Sequence, residues 1–234
     1  MKKNNSIKIS EIFSSLQGEG YTQGTPAIFV RVSGCNLLCD AEWTCDTLEV
    51  WRKGVVMEQD VIIKRIDRLL ETANHDNTNI VFTGGEPLLK QNTLLPIIKH
   101  YSKDYVIELE TNGTIIPDLL ADYVDMFNVS PKLPNSGNPE SKFYNTEALD
   151  YFIDNTSASF KFVITKEEDI IDIHKYYKDF IDRIGRFRVY LMPACQSQEE
   201  YAKTAPITAE LCKKYGYNFS SRLQINIYNK KTGV

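Results

Sequence analysis

Cys35, Cys39 and Cys45 fall within eleven residues, directly after a hydrophobic run and just before Asp46 and Thr47. Three thiolates can hold three irons of a cubane iron-sulfur cluster. The fourth iron then stays open to a small molecule, so the cluster can do chemistry as well as carry electrons. The same trio also suits a zinc site short of one ligand, or plain apolar packing. A second chemistry-bearing segment is VFTGGEPLL at 81–89, where a strand pattern runs into two glycines, an acid and a proline. The glycines let backbone approach a ligand closely. Glu86 rules out a phosphate cradle, because a carboxylate repels phosphate and suits an ammonium group.

The elements that must position these residues are short β-branched and aromatic runs at 27–33, 79–83, 106–110, 126–130, 159–164 and 188–192. Helical periodicity lies between several of them. Ile62, Ile66, Leu69, Leu70 and Ala73 share one face, Leu94, Ile97 and Ile98 a second, and Ile170, Ile173 and Tyr177 a third. Alternation of this kind predicts an α/β fold with a mainly parallel sheet, whose ligands bind at the carboxyl ends of the strands. The candidate residues obey that geometry. Cys35 follows the first run, Gly84, Gly85 and Glu86 the second, Glu110 and Asn112 the third, and Ser130 and Lys132 the fourth. The turn-rich stretch 132–145 reads as a mobile flap or a long surface loop, the latter favoured, and the alternating tail RLQINIYN at 222–229 as one more strand closing the domain.

A chain of 234 residues, 42% hydrophobic and 25% charged, predicts one globular domain over residues 1–234. A net charge of -4 excludes a general attraction to nucleic acid or anionic lipid. No apolar run approaches the ~20 residues that cross a bilayer, and the start lacks the apolar core of a signal peptide. Five cysteines, three of them clustered, suit a reducing compartment, so a cytoplasmic protein is expected. Cys195 and Cys212 read as buried packing, and His75, His100 and His174 as surface or structural residues without ligand spacing.

The three-cysteine loop followed by TGGEP resembles the radical S-adenosylmethionine (SAM) superfamily. SLQGEG (15–20), PAIFVRVSGCN (26–36), CDT (45–47), ETNGT (110–114), SPK (130–132) and the terminal RLQINIYNKKTGV resemble the 7-carboxy-7-deazaguanine synthase family over nearly the whole chain. One departure stands out. Three residues separate Cys35 from Cys39, as in the family, but five rather than two separate Cys39 from Cys45. Lengthening the gap costs only about 0.6 kcal/mol of loop closure and adds up to ~10 Å of reach, so the insert can bulge outward. Trp43 lies one position away from the family's usual aromatic residue, which bears on cluster potential and solvent access.

The resemblance implies an incomplete parallel β/α barrel with about six core strands and few helices. It implies a 4Fe-4S cluster on Cys35, Cys39 and Cys45, SAM bound by Gly84, Gly85, Glu86, Ser130 and Lys132, and Mg2+ on the Thr47 hydroxyl. It implies a carboxylated pterin substrate contacted by Gln17, Glu19, Arg31, Thr83 and Gln224, the last standing where many relatives carry histidine. Glu110 would orient substrate or accept a proton, with Asp46 a simple cap or turn residue. Reductive cleavage of SAM would start a ring contraction that releases ammonia. A flavodoxin or ferredoxin would supply the electron, and the enzyme would be a homodimer. The competing readings are a glycyl-radical activating enzyme and a non-catalytic zinc or redox module.

Overall fold

A computed structural model describes residues 5–73, 77–155, 157–231 and 233, with the backbone alone at position 73. His75 and the Ala73 side chain lie outside what is described. The chain runs β1 Ser6–Leu16, β2 Pro26–Val32, α1 Leu48–Arg52, β3 Val55–Glu58, α2 Gln59–Ala73, β4 Asn79–Gly84, α3 Gln91–Tyr101, β5 Ile107–Thr111 and β6 Met126–Val129. It continues through α4 Glu140–Phe143, α5 Thr146–Asp154, β7 Ala158–Ile164, α6 Asp169–Ile184, β8 Val189–Pro193, α7 Gln198–Tyr215, β9 Asn218–Phe219 and α8 Leu223–Tyr228.

Among the described residues, nine strands make one open sheet in the order β3-β1-β2-β4-β5-β6-β7-β8-β9. The six expected runs are β2 and β4 to β8, and each pairs in parallel with the next. They form the expected partial barrel, an α/β fold that does not close. Two-residue β9 extends the parallel set, while β1 and β3 add an antiparallel edge.

The sheet sorts its side chains by the two-residue period of a strand. Ile28 and Val30 of β2, Ile80 and Phe82 of β4, Ile107 and Leu109 of β5, and Phe160 and Phe162 of β7 face the helix-covered core. Each such side chain contributes about 1.5–3 kcal/mol by leaving water. The three helix faces read from sequence cover them: Ile62 and Ile66 of α2, Leu94, Ile97 and Ile98 of α3, and Ile170, Ile173 and Tyr177 of α6 are buried. The residues between belong to the opposite face, and there the strands carry Arg31, Thr83, Glu110, Asn128 and Lys161 into a cavity. One face closes the fold and the other holds polar chemistry.

The tail is a correction. Residues 223–228 form helix α8 and not a closing strand. The Leu223 N–H donates to Gly18 O at 2.9 Å, which seats the helix beside the 17–20 loop and turns Gln224 toward the cavity. The 132–145 stretch is in part the expected surface loop, with Pro134, Gly137 and 139–142 exposed, but Leu133, Asn135, Ser136, Asn138 and Phe143 are buried beneath it. Cys195 and Cys212 are buried as expected, His100 is exposed, and His174 is half-buried with its Nε2 3.3 Å from the Tyr217 hydroxyl. No helix among the described residues is long and apolar enough to cross a membrane.

Candidate active site

The carboxyl ends of β2, β4, β5, β6, β7 and β8 surround a cavity of about 820 Å³. Cys35, Cys39 and Cys45 all line it. They pack with Leu37, Phe143 and Trp43 in one apolar cluster. The longer Cys39–Cys45 gap is resolved by a small hairpin. Asp40 bridges to Thr44, and the Cys45 N–H donates to Cys39 O at 2.9 Å, so the insert folds out and the second and third cysteines return together. Three contacts fasten that hairpin across the mouth: Glu42 to Lys166 at 2.7 Å, Gln196 Nε2 to Thr44 O at 3.0 Å, and Trp43 Nε1 to Asn135 Oδ1 at 3.0 Å.

Burial pushes the Cys35 thiol up to about 11 and raises those of Cys39 and Cys45 as well. Without a ligand the three are therefore neutral thiols, and a metal must displace their protons. The Lys132 ammonium opposes that rise at all three. It is tethered to Ser130 O at 2.9 Å and Ser130 Oγ at 3.0 Å, and lies 5.8 Å over the Trp43 ring. Among the described residues no three His, Cys, Asp or Glu side chains converge on one ion. Cubane ligands need not, because each thiolate grips a different iron. The donor set, its apolar wall and the facing cation fit a cluster.

The TGGE turn sits against that loop. Gly84 has a φ of +125°, and a Cβ on it would meet Val32 O at 2.2 Å. A Cβ on Gly85 would meet Gly34 O at 2.0 Å. Only glycine permits so close a backbone approach. Glu86 departs from its expected role. Its side chain is fully buried and accepts from Asn112 N at 2.7 Å, Thr111 Oγ1 at 2.9 Å and Leu88 N at 3.1 Å. It knits β4 to β5 and leaves the cavity to the Gly84 and Gly85 backbone. Burial raises its carboxyl to about 7 against these three donors.

Deeper in the cavity, Glu19 gathers the remaining groups. It pairs with Lys161, accepts from Arg222 Nε at 3.0 Å and from Gln224 Nε2 at 2.6 Å. Burial alone would raise its carboxyl, but Lys161 and Arg222 overcome that and hold it far below the ordinary range. Arg222 also pairs with Asp46, so Asp46 is an ion-pair partner and more than the expected turn residue. Gln17 Nε2 bridges Glu108 Oε1 at 2.8 Å and Glu110 Oε1 at 3.0 Å, and Thr83 Oγ1 donates to Glu110 Oε2 at 2.6 Å. Arg31 lines the cavity with its Nε on Glu11 Oε2 at 3.0 Å. Thr47 lines it too, its hydroxyl 3.3 Å from Cys45 Sγ. Gln224 Oε1 is buried against Gly18 and has no hydrogen-bond partner among the described residues.

The cavity thus unites fourteen of the fifteen residues expected from sequence, all but the Glu86 side chain. Sequence reasoning missed Lys161, Arg222 and Asn128. Lys161 and Asn128 each interrupt an apolar strand at an every-second position, which is the signal that would have found them.

Comparisons with known proteins find relatives that span nearly the whole chain. A family model described as a 4Fe-4S single cluster domain matches residues 16–134. A 7-carboxy-7-deazaguanine synthase of Halobacterium salinarum is 32% identical, over 95% of this chain and 91% of that one. One of Pyrobaculum aerophilum is 33% identical, over 97% of both chains. Among solved structures, QueE from Escherichia coli superposes with a TM-score of 0.68 at 24% identity, covering 94% of this chain and 95% of that one. An anSMEcpe structure with bound AdoMet reaches a TM-score of 0.52 at 21% identity, over 81% of this chain and 61% of that one.

Proposed function

Because this chain belongs to the 7-carboxy-7-deazaguanine synthase family, we propose that it converts 6-carboxy-5,6,7,8-tetrahydropterin to 7-carboxy-7-deazaguanine with loss of ammonia, in deazapurine biosynthesis. The observation that carries this reading is one cavity with a trio of cysteines at its mouth and a charge-compensated carboxylate, Glu19, at its floor. When bound, a 4Fe-4S cluster and SAM supply the carbon radical that takes hydrogen from the substrate.

The residues of the chain bind and orient. Cys35, Cys39 and Cys45 are the cluster ligands. The backbone of Gly84 and Gly85 would receive the SAM amino group, and Ser130 and Lys132 would hold the rest of that molecule. Arg31 meets the substrate carboxylate, as a guanidinium fork suits. Glu19 stays ionised and accepts from the amidine-like N–H edge of the pterin, with Gln17 and Gln224 beside it. Thr83 holds Glu110 in place, and Glu110 receives a proton during the rearrangement. Thr47 would offer its hydroxyl to Mg2+, an oxygen donor of the kind that ion prefers. A flavodoxin or ferredoxin supplies the electron, and the enzyme works as a cytoplasmic homodimer.

The test is turnover. Protein reconstituted anaerobically should carry about four irons. With reductant, SAM, Mg2+ and the carboxylated pterin it should release ammonia and form the deazapurine. Four irons and SAM cleavage without ammonia would overturn the substrate assignment, and absence of iron would overturn the radical chemistry.

A further inference from the structure

A segment about a hundred residues further along the chain packs behind the cysteine loop. Residues 135–138 pass beneath it, with Ser136 fully buried and Asn138 nearly so. The Asp40 N–H donates to Ser136 O at 3.3 Å and the Glu42 N–H to Asn135 O at 3.1 Å. The Leu38 N–H donates to Asn138 Oδ1 at 2.9 Å. A backbone N–H cannot face an NH2 group, so this contact fixes which end of the Asn138 amide is oxygen. Its Nδ2 is thereby turned to Cys39 Sγ at 3.4 Å and to Ser136 Oγ at 3.2 Å, which uses both hydrogens. Cys35 Sγ accepts a backbone N–H, from Leu37 at 3.4 Å, but neither other cysteine has a buried side-chain amide held this closely on its sulfur. Asn112 Nδ2 stands 3.8 Å from Cys35 Sγ and bonds more closely to Asn36 Oδ1 at 2.8 Å, while Cys45 Sγ has the rotatable Thr47 hydroxyl at 3.3 Å.

We propose that Asn138 is a positioning residue that sets the reduction potential of the cluster, by donating an N–H···S hydrogen bond to Cys39 while its oxygen anchors the cysteine loop at Leu38. The inference rests on Cys39 being a cluster ligand, as proposed above. Adding one electron to a cubane increases the negative charge on its sulfurs. A donor aimed at a ligand sulfur therefore binds the reduced state more strongly than the oxidised one and raises the potential. Burial of the amide strengthens the effect, since no water competes for the sulfur. The electron comes from an external one-electron reductant and resides on the cluster, and no bond is made or broken at Asn138.

The experiment is a mediated potentiometric titration of the reconstituted holoprotein, followed by the paramagnetic signal of the reduced cluster, with iron content determined alongside. Asn138→Ala should shift the one-electron equilibrium about three- to tenfold toward the oxidised cluster, ~30–60 mV more negative at 59 mV per tenfold. Asn138→Asp keeps an oxygen for Leu38 but puts a carboxylate where the N–H was, and should go lower still. An unchanged or raised potential in either variant, with about four irons bound, overturns the proposal. Loss of the cluster from both variants also overturns it, because Asn138 would then serve assembly and not tuning. Wild-type protein without iron would sink the cluster reading itself, a distinct failure.

Discussion

Two buried carboxylates, Glu19 at the floor of the cavity and Glu86 behind the TGGE turn, are handled in opposite ways. Glu19 has two cations in place of the water it lost and stays charged, whereas Glu86 has only neutral donors, and burial lifts its carboxyl to about 7 from 4.5. The sign for stability follows from linkage. Between those values the folded chain keeps a proton that the unfolded chain has released, so the folded state loses stability as pH rises through this window. The size is about 3 kcal/mol at 1.36 kcal/mol per unit. Urea unfolding of cluster-free protein at pH 4.5 and 7.5 should show that fall in wild type, and the Glu86→Gln variant should lose that component of the slope. Equal slopes would mean that the Asn112, Thr111 and Leu88 donors keep Glu86 ionised throughout.

At the scale of elements, the turn after β4 and the start of the cysteine loop are built as one unit. A methyl group on Gly85 meets the Gly34 carbonyl, which is backbone and cannot swing aside. Gly85→Ala should therefore displace the loop, and reconstituted iron should fall well below half of wild type with the far-UV circular dichroism unchanged. Full iron content in this variant would show the loop to be freer than its packing indicates. The six parallel strands were legible because their β-branched and aromatic runs are bounded by turns, and the three main helix faces because their apolar spacing is regular. Strand β1 was not, since the register shift between Ile9 and Glu11 breaks the alternation that marks a strand. The misread tail has a different cause. Over six residues the pattern Leu223, Ile225, Ile227 satisfies a two-residue period, and contacts distant in sequence, with Gly18 and with Gln198 of α7, accompany the helix instead. The same limit applies to the site. The cysteines and TGGE announce themselves locally, but Asn138 and Arg222 acquire meaning from partners 99 and 176 residues away.

For the molecule as a whole, the apolar core lies on the helix side of the sheet and the cysteine loop lies outside it. Folding therefore does not wait for a metal, unlike a small metal-dependent domain. Stripping iron with a chelator should leave the far-UV spectrum and cooperative urea unfolding intact. Susceptibility to proteolysis should rise within residues 34–47, where the thiols lose their common anchor. Loss of the helical signal on chelation would refute that separation.

Asp46, Arg222, Glu19 and Lys161 stand in a row of alternating sign. Its bearing is on descent. Removing the Glu19 carboxylate would leave the nearly buried Lys161 ammonium without its ion-pair partner, so an isolated change at Glu19 is disfavoured, whereas Asp46, at the exposed end of the row, is freer to change. The buried end of the row is thus held to its charges more tightly than the end that meets solvent.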